Sequence, residues 1–301
     1  MRPVACRVRQ NRPVLGPIVR EARPKQWIKN VLVFAAPGAA GVLDDPHHVW
    51  RSLLGFVCLC LAASGTYYWN DILDVDKDRK HPTKRFRPIA SGALPIGLAQ
   101  VLGTVFLFGG IALAWVLNWK TGLTVTSYVA LTSLYSTFLK HVAVLDLAAV
   151  ALGFVLRAIT GGVANDIVLS RWFLMTTTFG SLFIVTGKRY AEMVELGEGA
   201  VHTRRILEEY SLGYLRTILA ASIGATIVTY CSWAFEVREL SGDNWPFYEL
   251  SIGPMLTALM RYSLILERGQ GGAPEEVFLS DRVLQALGLM WLVCVGLGVY
   301  V

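Results

Sequence analysis

Charged residues are scarce in this chain. Asp, Glu, Lys and Arg make up 17% of its 301 residues, whereas a soluble domain has about 25%. Hydrophobic residues reach 54%, and the mean hydropathy is +0.48. No polar segment is long enough to fold independently. These proportions exclude a soluble multidomain enzyme and predict a single domain embedded in a membrane.

Cysteines are few as well. The five of them lie singly in the N-terminal tail or in apolar segments: Cys6, Cys58, Cys60, Cys231 and Cys294. Cys58 and Cys60 are two positions apart, so they point to different faces of a helix, and no spacing typical of a metal site occurs. We interpret the cysteines as small hydrophobic side chains, which argues against a cysteine-based metal centre.

Apolar runs predict an all-α, polytopic membrane protein with nine transmembrane helices. A helix needs roughly 20 apolar residues to cross the hydrocarbon core, and a window of about 19 residues locates such stretches. Nine stretches qualify, although Pro37 and Gly38 interrupt the first. They lie near residues 26–43, 49–70, 96–117, 121–139, 143–163, 171–189, 213–235, 249–267 and 281–301.

The positive charges predict how these helices are oriented. With the N-terminus inside, the tail and the inner loops with their edges hold 22 of the 28 Lys and Arg residues, and the outer side holds four. Cytoplasmic loops carry the excess of Lys and Arg in membrane proteins. We therefore expect a cell-membrane protein with its N-terminus in the cytoplasm and its C-terminus outside.

An acidic cluster follows the second predicted span. Residues 70–78 contain one asparagine and four aspartates, directly after about twenty almost uncharged residues. At helical pitch Asn70, Asp74 and Asp78 fall near one face, and Asp71 precedes Asp78 by seven residues. Crowded carboxylates repel one another unless a cation lies among them. Hard oxygen donors suit Mg²⁺, which shares its coordination with substrate phosphates, so the cluster predicts a metal-pyrophosphate site at the membrane surface.

Three basic clusters are predicted on the same side of the membrane. Arginine forks bind phosphate oxygens bidentately and lysine adds a point charge, although such residues also serve as lipid anchors or topology signals. Their position beside the acids favours phosphate binding. The clusters are Lys25 and Lys29 at the entry to the first span, Lys84, Arg85 and Arg87 after the acids, and Lys188 and Arg189 with Tyr190 and Glu192 after the sixth span.

Two charges lie within the fifth span. Facing lipid, each would cost about 2.5–3.5 kcal/mol or more, so both are expected to point inward. Asp146 is close to the cytoplasmic side and is predicted to line the site. Arg157 lies deeper, and pairing with backbone carbonyls is favoured over a role in the site.

Two motifs carry a resemblance to a known family. They read NDxxDxxxD over residues 70–78 and HPxKRxRPIxxG over residues 81–92. Over residues 23–301 the chain resembles the UbiA-type intramembrane prenyltransferase superfamily, and residues 1–22 are predicted to be a basic, disordered tail. The resemblance implies nine helices around a cavity that opens to the cytoplasm.

One departure from that family narrows the expected function. Typical members have a second Asp-rich motif at the sixth helix, whereas residues 187–192 read GKRYAE, with Glu192 the nearest acid. Together with the basic segment 23–30, this version resembles the branch that transfers 5-phosphoribose to decaprenyl phosphate for cell-wall arabinan precursors. The resemblance implies Mg²⁺ as cofactor, phosphoribosyl pyrophosphate as donor, a polyprenyl phosphate as acceptor, membrane lipid as surroundings and no nucleic acid. Acceptor chain length and self-association stay open.

The residue roles follow from the same resemblance. The expected catalytic residues are Asp71, Asp74 and Asp78, and the expected metal ligands are Asn70, Asp74 and Asp78. The expected substrate-binding residues are Lys25, Lys29, Lys84, Arg85, Arg87, Asp146, Lys188, Arg189, Tyr190 and Glu192.

Two other functions remain as alternatives. A true prenyltransferase, acting on a polyprenyl diphosphate and an aromatic or lipophilic acceptor, would share the first motif but predicts acids where Lys188 and Arg189 stand. A transporter for a lipid-linked solute would favour charges near the bilayer midplane, whereas most charges here lie at one face.

Overall fold

The computed structural model describes residues 15–196, 205–241 and 245–301. Those residues form helices and turns, without a β-strand. Four 3₁₀ segments, at Pro24–Phe34, Lys84–Phe86, Leu139–His141 and Arg205–Glu209, join the α-helices. In chain order the α-helices are α1 Leu15–Ala22, α2 Ala35–Ala39, α3 Pro46–Leu73, α4 Val75–Lys80, α5 Ile96–Leu117, α6 Trp119–Thr137, α7 Leu145–Ala164, α8 Arg171–Leu196, α9 Leu212–Ser241, α10 Phe247–Leu250, α11 Ile252–Glu267, α12 Pro274–Ser280 and α13 Arg282–Tyr300.

Five of these helices are long and apolar enough to cross a membrane, namely α3, α5, α7, α9 and α13. At a rise of about 1.5 Å per residue, they match the roughly 30 Å hydrocarbon core. They coincide with five of the predicted spans, and they make the chain a multi-pass membrane protein. The predicted spans 121–139, 171–189 and 249–267 fall on α6, α8 and the α10–α11 pair. None of these combines the length and the hydropathy that the other five helices have.

The first predicted span, 26–43, is wrong as one continuous helix. Residues Pro24–Phe34 form a 3₁₀ segment and only Ala35–Ala39 are α-helical. Pro37 lacks the N–H that an α-helix would bond to the Val33 carbonyl. The backbone of Val33 instead packs against α7, so closely that a Cβ on Gly161 would lie 1.7 Å from the Val33 oxygen.

The predicted tail also needs correction. Residues 1–14 lie outside the described residues, but Leu15–Ala22 form helix α1, which packs against α3. The Tyr68 hydroxyl donates to the Ile18 carbonyl at 2.8 Å, and the Ser64 hydroxyl donates to the Ala22 carbonyl at 3.0 Å. The helical part of the tail is therefore docked on the membrane domain, because α3 provides polar side chains for its backbone carbonyls.

Close packing of α3 against α5 fixes the end of α3 that carries the acids. A Cβ on Gly65 would lie 2.4 Å from the Leu107 amide nitrogen, and one on Gly110 would lie 2.7 Å from the Cys58 carbonyl oxygen. Small residues allow two membrane helices to approach this closely and gain dispersion contacts, since lipid provides no hydrophobic drive for association.

Replacing Gly110 by alanine should separate these helices. The new methyl group would collide with the α3 backbone, and overpacking of this kind costs about 1–3 kcal/mol. The thermal midpoint of the purified protein in detergent should fall by a few degrees. Gly109→Ala is the matched control, since Gly109 is exposed on the same helix with no atom within 4 Å of the added carbon. An equal fall in both variants would contradict this packing.

Candidate functional site

The end of α3 stacks the acidic residues one helical turn apart. Although α3 ends at Leu73, the Asp74 amide donates to the Asn70 carbonyl at 3.0 Å, and the Asp78 amide donates to the Asp74 carbonyl at 2.8 Å. Asn70, Asp74 and Asp78 therefore follow one another at a four-residue spacing through the short helix α4. The Asn70 side-chain amide donates to the Ser136 hydroxyl of α6 at 3.1 Å, which leaves its oxygen directed elsewhere.

Asp71 is held by two arginines. Arg23 Nη2 donates to both oxygens of Asp71, at 2.7 and 2.5 Å, and Arg87 Nη1 donates to Asp71 Oδ1 at 3.0 Å. Arg87 Nη1 also donates to Asp78 Oδ2 at 2.7 Å. Arg23 has a left-handed backbone with φ of 52°, a conformation that is uncommon for a residue other than glycine. Charge-assisted hydrogen bonds of this length are strong, so the arginines lock two acids of the motif in place.

A buried glutamate, Glu21, lies next to Asp71 and its two arginines. It is 1% exposed, and no donor among the described residues reaches either of its oxygens. Burial, reinforced by the neighbouring Asp71 carboxylate, raises the pKa of Glu21 to about 8. Glu21 is therefore protonated at neutral pH and is able to donate its proton to Asp71. Sequence reasoning missed it, because a lone glutamate in a basic tail carries no signal.

Stability should depend on the ionisation of Glu21. Its pKa is about 8 in the folded protein, against an ordinary value of 4.5 for a glutamate in an unstructured chain, so folding favours the protonated form. The wild type should lose stability relative to Glu21→Gln as the pH rises from about 4.5 to 8, and the difference should level off above that, since the glutamine stays neutral. Thermal midpoints of both proteins across that range test the point, and parallel curves would contradict it.

The acidic motif suits a hard divalent cation that also binds substrate. Asp74 is 40% exposed, and its nearest cation is Lys77 at 3.5 Å. The Asn70 oxygen and one oxygen of Asp78 have no hydrogen-bond donor among the described side chains. Mg²⁺ typically takes one or two carboxylates and completes its shell with water and phosphate oxygens. In the described part of the chain, three ligand atoms of Asp, Glu, His or Cys come within 4.8 Å of one another only at Asp45, His47 and His48, at the far end of α3.

Asp146 and Arg189 form a buried charge network at the start of α7 and the end of α8. Asp146 is fully buried, and Arg189 is 3% exposed. Arg189 donates to Asp146 Oδ2 at 3.2 Å and to Glu192 Oε2 at 3.3 Å. The hydroxyl of Tyr210 donates to Asp146 Oδ1. Burial and this carboxylate raise the pKa of Tyr210, so the phenol keeps its proton. The carboxylates of Asp146 and Glu192 are thus both hydrogen-bonded to the Arg189 guanidinium.

Removing the Tyr210 hydroxyl should weaken this network. In Tyr210→Phe the buried Asp146 loses a donor and the Val144 amide loses an acceptor at 2.6 Å. An unsatisfied buried polar group costs about 1–3 kcal/mol, so the thermal midpoint should fall. Tyr214→Phe removes a hydroxyl from the exposed ring stacked on Tyr210 and should be neutral. Equal midpoints for the two variants would count against the network.

Tyr190 and Lys188 are two positions apart, but only Tyr190 has side-chain partners among the charged residues described. Tyr190 is buried, donates to Glu267 Oε2 at 2.9 Å and accepts from Arg216 Nη2 at 2.9 Å. Lys188 is half-buried, and no carboxylate of the described residues lies within ion-pair distance of it. Of the predicted cluster on α8, Lys188 is therefore the cation without an acidic partner among the described residues.

The remaining predicted cations lie nearer the surface. Lys84 and Arg85 are exposed, and Arg85 stacks over Phe86 at 4.8 Å. Lys25 is exposed beside a groove of about 690 Å³ between α1 and the following 3₁₀ segment. Arg20 and Arg23 also line this groove, together with apolar residues of α1.

The side chain of Lys29 lies between the first membrane segment and α12. Its ammonium lies 3.9 Å from Glu275 Oε1 of α12 and feels the charges of Lys188 and Arg157. On the other side Arg23, which holds Asp71, stacks over the Tyr67 ring at 4.8 Å, and Tyr67 in turn feels the charge of Arg157. Lys29 and Tyr67 therefore both lie within electrostatic range of Arg157.

These features define a class of protein: an all-helical, multi-pass membrane protein whose acids and cations meet where its long helices end. Solved structures share this fold. A UbiA homolog from Archaeoglobus fulgidus bound to GPP and Mg²⁺ aligns with a TM-score of 0.69 at 17% identity, covering 94% of this chain and 98% of that one. A structure of digeranylgeranylglyceryl phosphate synthase aligns with a TM-score of 0.66 at 16% identity, covering 96% and 99%.

The sequence matches the UbiA prenyltransferase family over residues 31–287, so the chain belongs to that family. Two curated relatives are named decaprenyl-phosphate phosphoribosyltransferase. The one from Corynebacterium glutamicum is 42% identical over 288 residues, which cover 94% of this chain and 87% of the relative. The one from Mycobacterium tuberculosis H37Rv is 43% identical over 286 residues, which cover 94% of each.

Proposed function

We propose that the chain transfers 5-phosphoribose from phosphoribosyl pyrophosphate to decaprenyl phosphate, or a similar polyprenyl phosphate, and releases pyrophosphate. The observation that carries this proposal is the similarity to curated relatives of that activity, at 42–43% identity over 94% of the chain. The product is a lipid-linked phosphoribose that serves cell-wall arabinan synthesis. Lys188 and Arg189 on α8, at positions where a prenyl-diphosphate enzyme is expected to have acids, support the same choice.

We place nine crossings in the cell membrane, with the N-terminus in the cytoplasm and the C-terminus outside. The crossings are the Pro24–Ala39 segment, α3, α5, α6, α7, α8, α9, α11 and α13. The 22-to-4 distribution of Lys and Arg supports this orientation. It puts the ends of α3 and α8 and the start of α7 on the cytoplasmic side, where a soluble, highly charged sugar phosphate is available. The cavity then opens toward that side.

In the proposed reaction the bond from ribose C1 to the pyrophosphate oxygen breaks, and a bond from C1 to an oxygen of the lipid phosphate forms. Asn70, Asp74 and Asp78 would hold Mg²⁺, which when bound neutralises the charge that builds on the leaving group. Arg87, fixed by Asp71 and Asp78, is positioned to contact a pyrophosphate oxygen. The acceptor oxygen is already anionic, so the site needs no strong general base.

The other predicted residues divide between binding and positioning. Lys188, which has no carboxylate partner in the described chain, binds substrate phosphate. Asp146, Arg189, Tyr190 and Glu192 are occupied by neighbouring side chains and hold the end of α8 in place. Lys84 and Arg85 attract the anionic donor from the cytoplasm, while Lys25 and its groove lie where the lipid head group would approach.

Transfer of label tests this function. Purified protein with Mg²⁺, decaprenyl phosphate and radiolabelled phosphoribosyl pyrophosphate should move label into the organic phase, and a chelator should stop it. Asp74→Asn should lower the rate by at least about 100-fold, because it removes a charged metal ligand. Asp76→Asn is the matched control, since Asp76 is 85% exposed on the same segment, and it should change the rate by less than about threefold.

A parallel reaction examines the nearest competing function. If decaprenyl diphosphate and an aromatic acid react while phosphoribosyl pyrophosphate gives no labelled lipid, the chain is a prenyltransferase and the proposal is overturned.

A further inference from the structure

Arg157 is a buried cation in α7 without an acidic partner among the described residues. Its side chain is 8% exposed, and it lies about 18 Å along α7 from Leu145, at about 1.5 Å per residue. Its hydrogen bonds go to neutral acceptors: the Asn30 side-chain oxygen at 2.9 Å, the Gly153 carbonyl at 2.8 Å and the Tyr128 hydroxyl at 2.8 Å. No carboxylate in the described ranges lies within 4 Å of the guanidinium.

A charge in this position is costly. An unpaired buried ion is destabilising. Charged residues within membrane segments are therefore rare and usually mark a functional site. Three of the five N–H groups of Arg157 are used by the neutral acceptors, so two remain. The pairing with a backbone carbonyl that the sequence favoured does occur, but it leaves the positive charge unbalanced.

Two further cations, Lys29 and Lys188, lie in the neighbourhood of Arg157. The Lys29 ammonium is next to Asn30 in sequence and within electrostatic reach of both Arg157 and Lys188. The acid close to this group is Glu275, whose Oε1 is 3.9 Å from Lys29 Nζ. Three cations and one carboxylate leave a net charge of about +2, and the cations repel one another unless an anion lies between them.

The guanidinium of Arg157 is oriented so that phosphate oxygens in its plane could accept its remaining N–H groups. The guanidinium stacks over the rings of Tyr128 at 4.7 Å and Phe154 at 5.2 Å, which fixes its plane. The Asn30 bond fixes its rotation. Tyr128 accepts from Arg157 and keeps its own hydroxyl proton to donate, so a ligand beside it meets a phenol as well as a guanidinium fork.

We infer that Arg157, Lys29 and Lys188 form a binding site for a phosphate monoester, with Arg157 further along α7 than the charged network at Asp146. The inference rests on the proposed function and deepens it. A phosphate monoester carries a charge of about −1.5 to −2 at pH 7, which balances the excess of this cluster without a metal ion. Two sources share this chemistry, namely the 5-phosphate of the ribosyl donor and the phosphate of the lipid acceptor.

Direct binding separates the two sources. Ribose 5-phosphate and decaprenyl phosphate serve as probes, each titrated against wild type and Arg157→Met in detergent without Mg²⁺. Methionine keeps an apolar stem and removes the charge. Loss of about 10- to 100-fold in affinity is expected for one probe, since the substitution removes charge-assisted hydrogen bonds to the phosphate. A loss for ribose 5-phosphate assigns the site to the donor, and a loss for decaprenyl phosphate assigns it to the acceptor.

Controls keep the result decisive. Arg171→Met removes an arginine that stacks on Trp172 at the other end of α8, and it should leave both affinities unchanged. Lys188→Met, at a half-buried and unpaired position, should weaken the same probe even if Arg157→Met fails to fold. Unchanged affinity for both probes in Lys188→Met and in folded Arg157→Met would overturn the inference.

Failure of the proposed function gives a different result. In that case the wild type forms no labelled lipid from phosphoribosyl pyrophosphate, whereas the binding titrations still report whether Arg157 and Lys188 hold a phosphate monoester. If transfer is active, the KM of the assigned substrate should rise in Lys188→Met by more than kcat falls.

Discussion

The Asp71 ion pairs are the interaction on which the site depends. Asp71 lies at the end of α3, Arg23 lies between α1 and the first membrane segment, and Arg87 lies on the loop after the acidic motif. One buried carboxylate thus joins three segments through ion pairs, in addition to the hydrogen bonds that Tyr68 and Ser64 of α3 donate to α1. Without it, Arg87 would lose one of its two anchors, and Arg23, directly after α1, would lose its ion pair with α3. The proposed metal ligands are organised around this point.

Charge is distributed unequally over the polar clusters of the molecule. Arg189 in the Asp146–Arg189–Glu192 network is held by two carboxylates, so its charge fixes the geometry of the network and is not available to an anionic ligand. Arg157 and Lys188, in contrast, have no carboxylate partner among the described residues. In a low-dielectric interior an unbalanced cation favours an anionic ligand, and this distinguishes Arg157 and Lys188 from the paired Arg189.

Much of the fold was predictable because crossing a membrane imposes a length and a composition. Five predicted spans coincide with helices long and apolar enough to cross, and the all-helical fold of the UbiA family agrees with the composition. The prediction of the first span as one helix was wrong because hydropathy does not determine backbone conformation. Pro37 and the close approach of α7 determine the 3₁₀ conformation found there. The predicted tail failed over Leu15–Ala22, because docking on α3 depends on Tyr68 and Ser64, which are distant in sequence.

The sequence by itself determined the chemistry available at the membrane surface: the one-turn spacing of Asn70, Asp74 and Asp78, the basic residues beside them, and Lys188 and Arg189 where a second Asp-rich motif is expected. Only the tertiary structure decided which charges are paired. Arg23 meets Asp71 across 48 residues, and Arg189 meets Asp146 across 43. Pairing depends on distances between helices, which a linear pattern does not contain, and this is why Arg189 is occupied while Lys188 and Arg157 remain without an acid among the described residues.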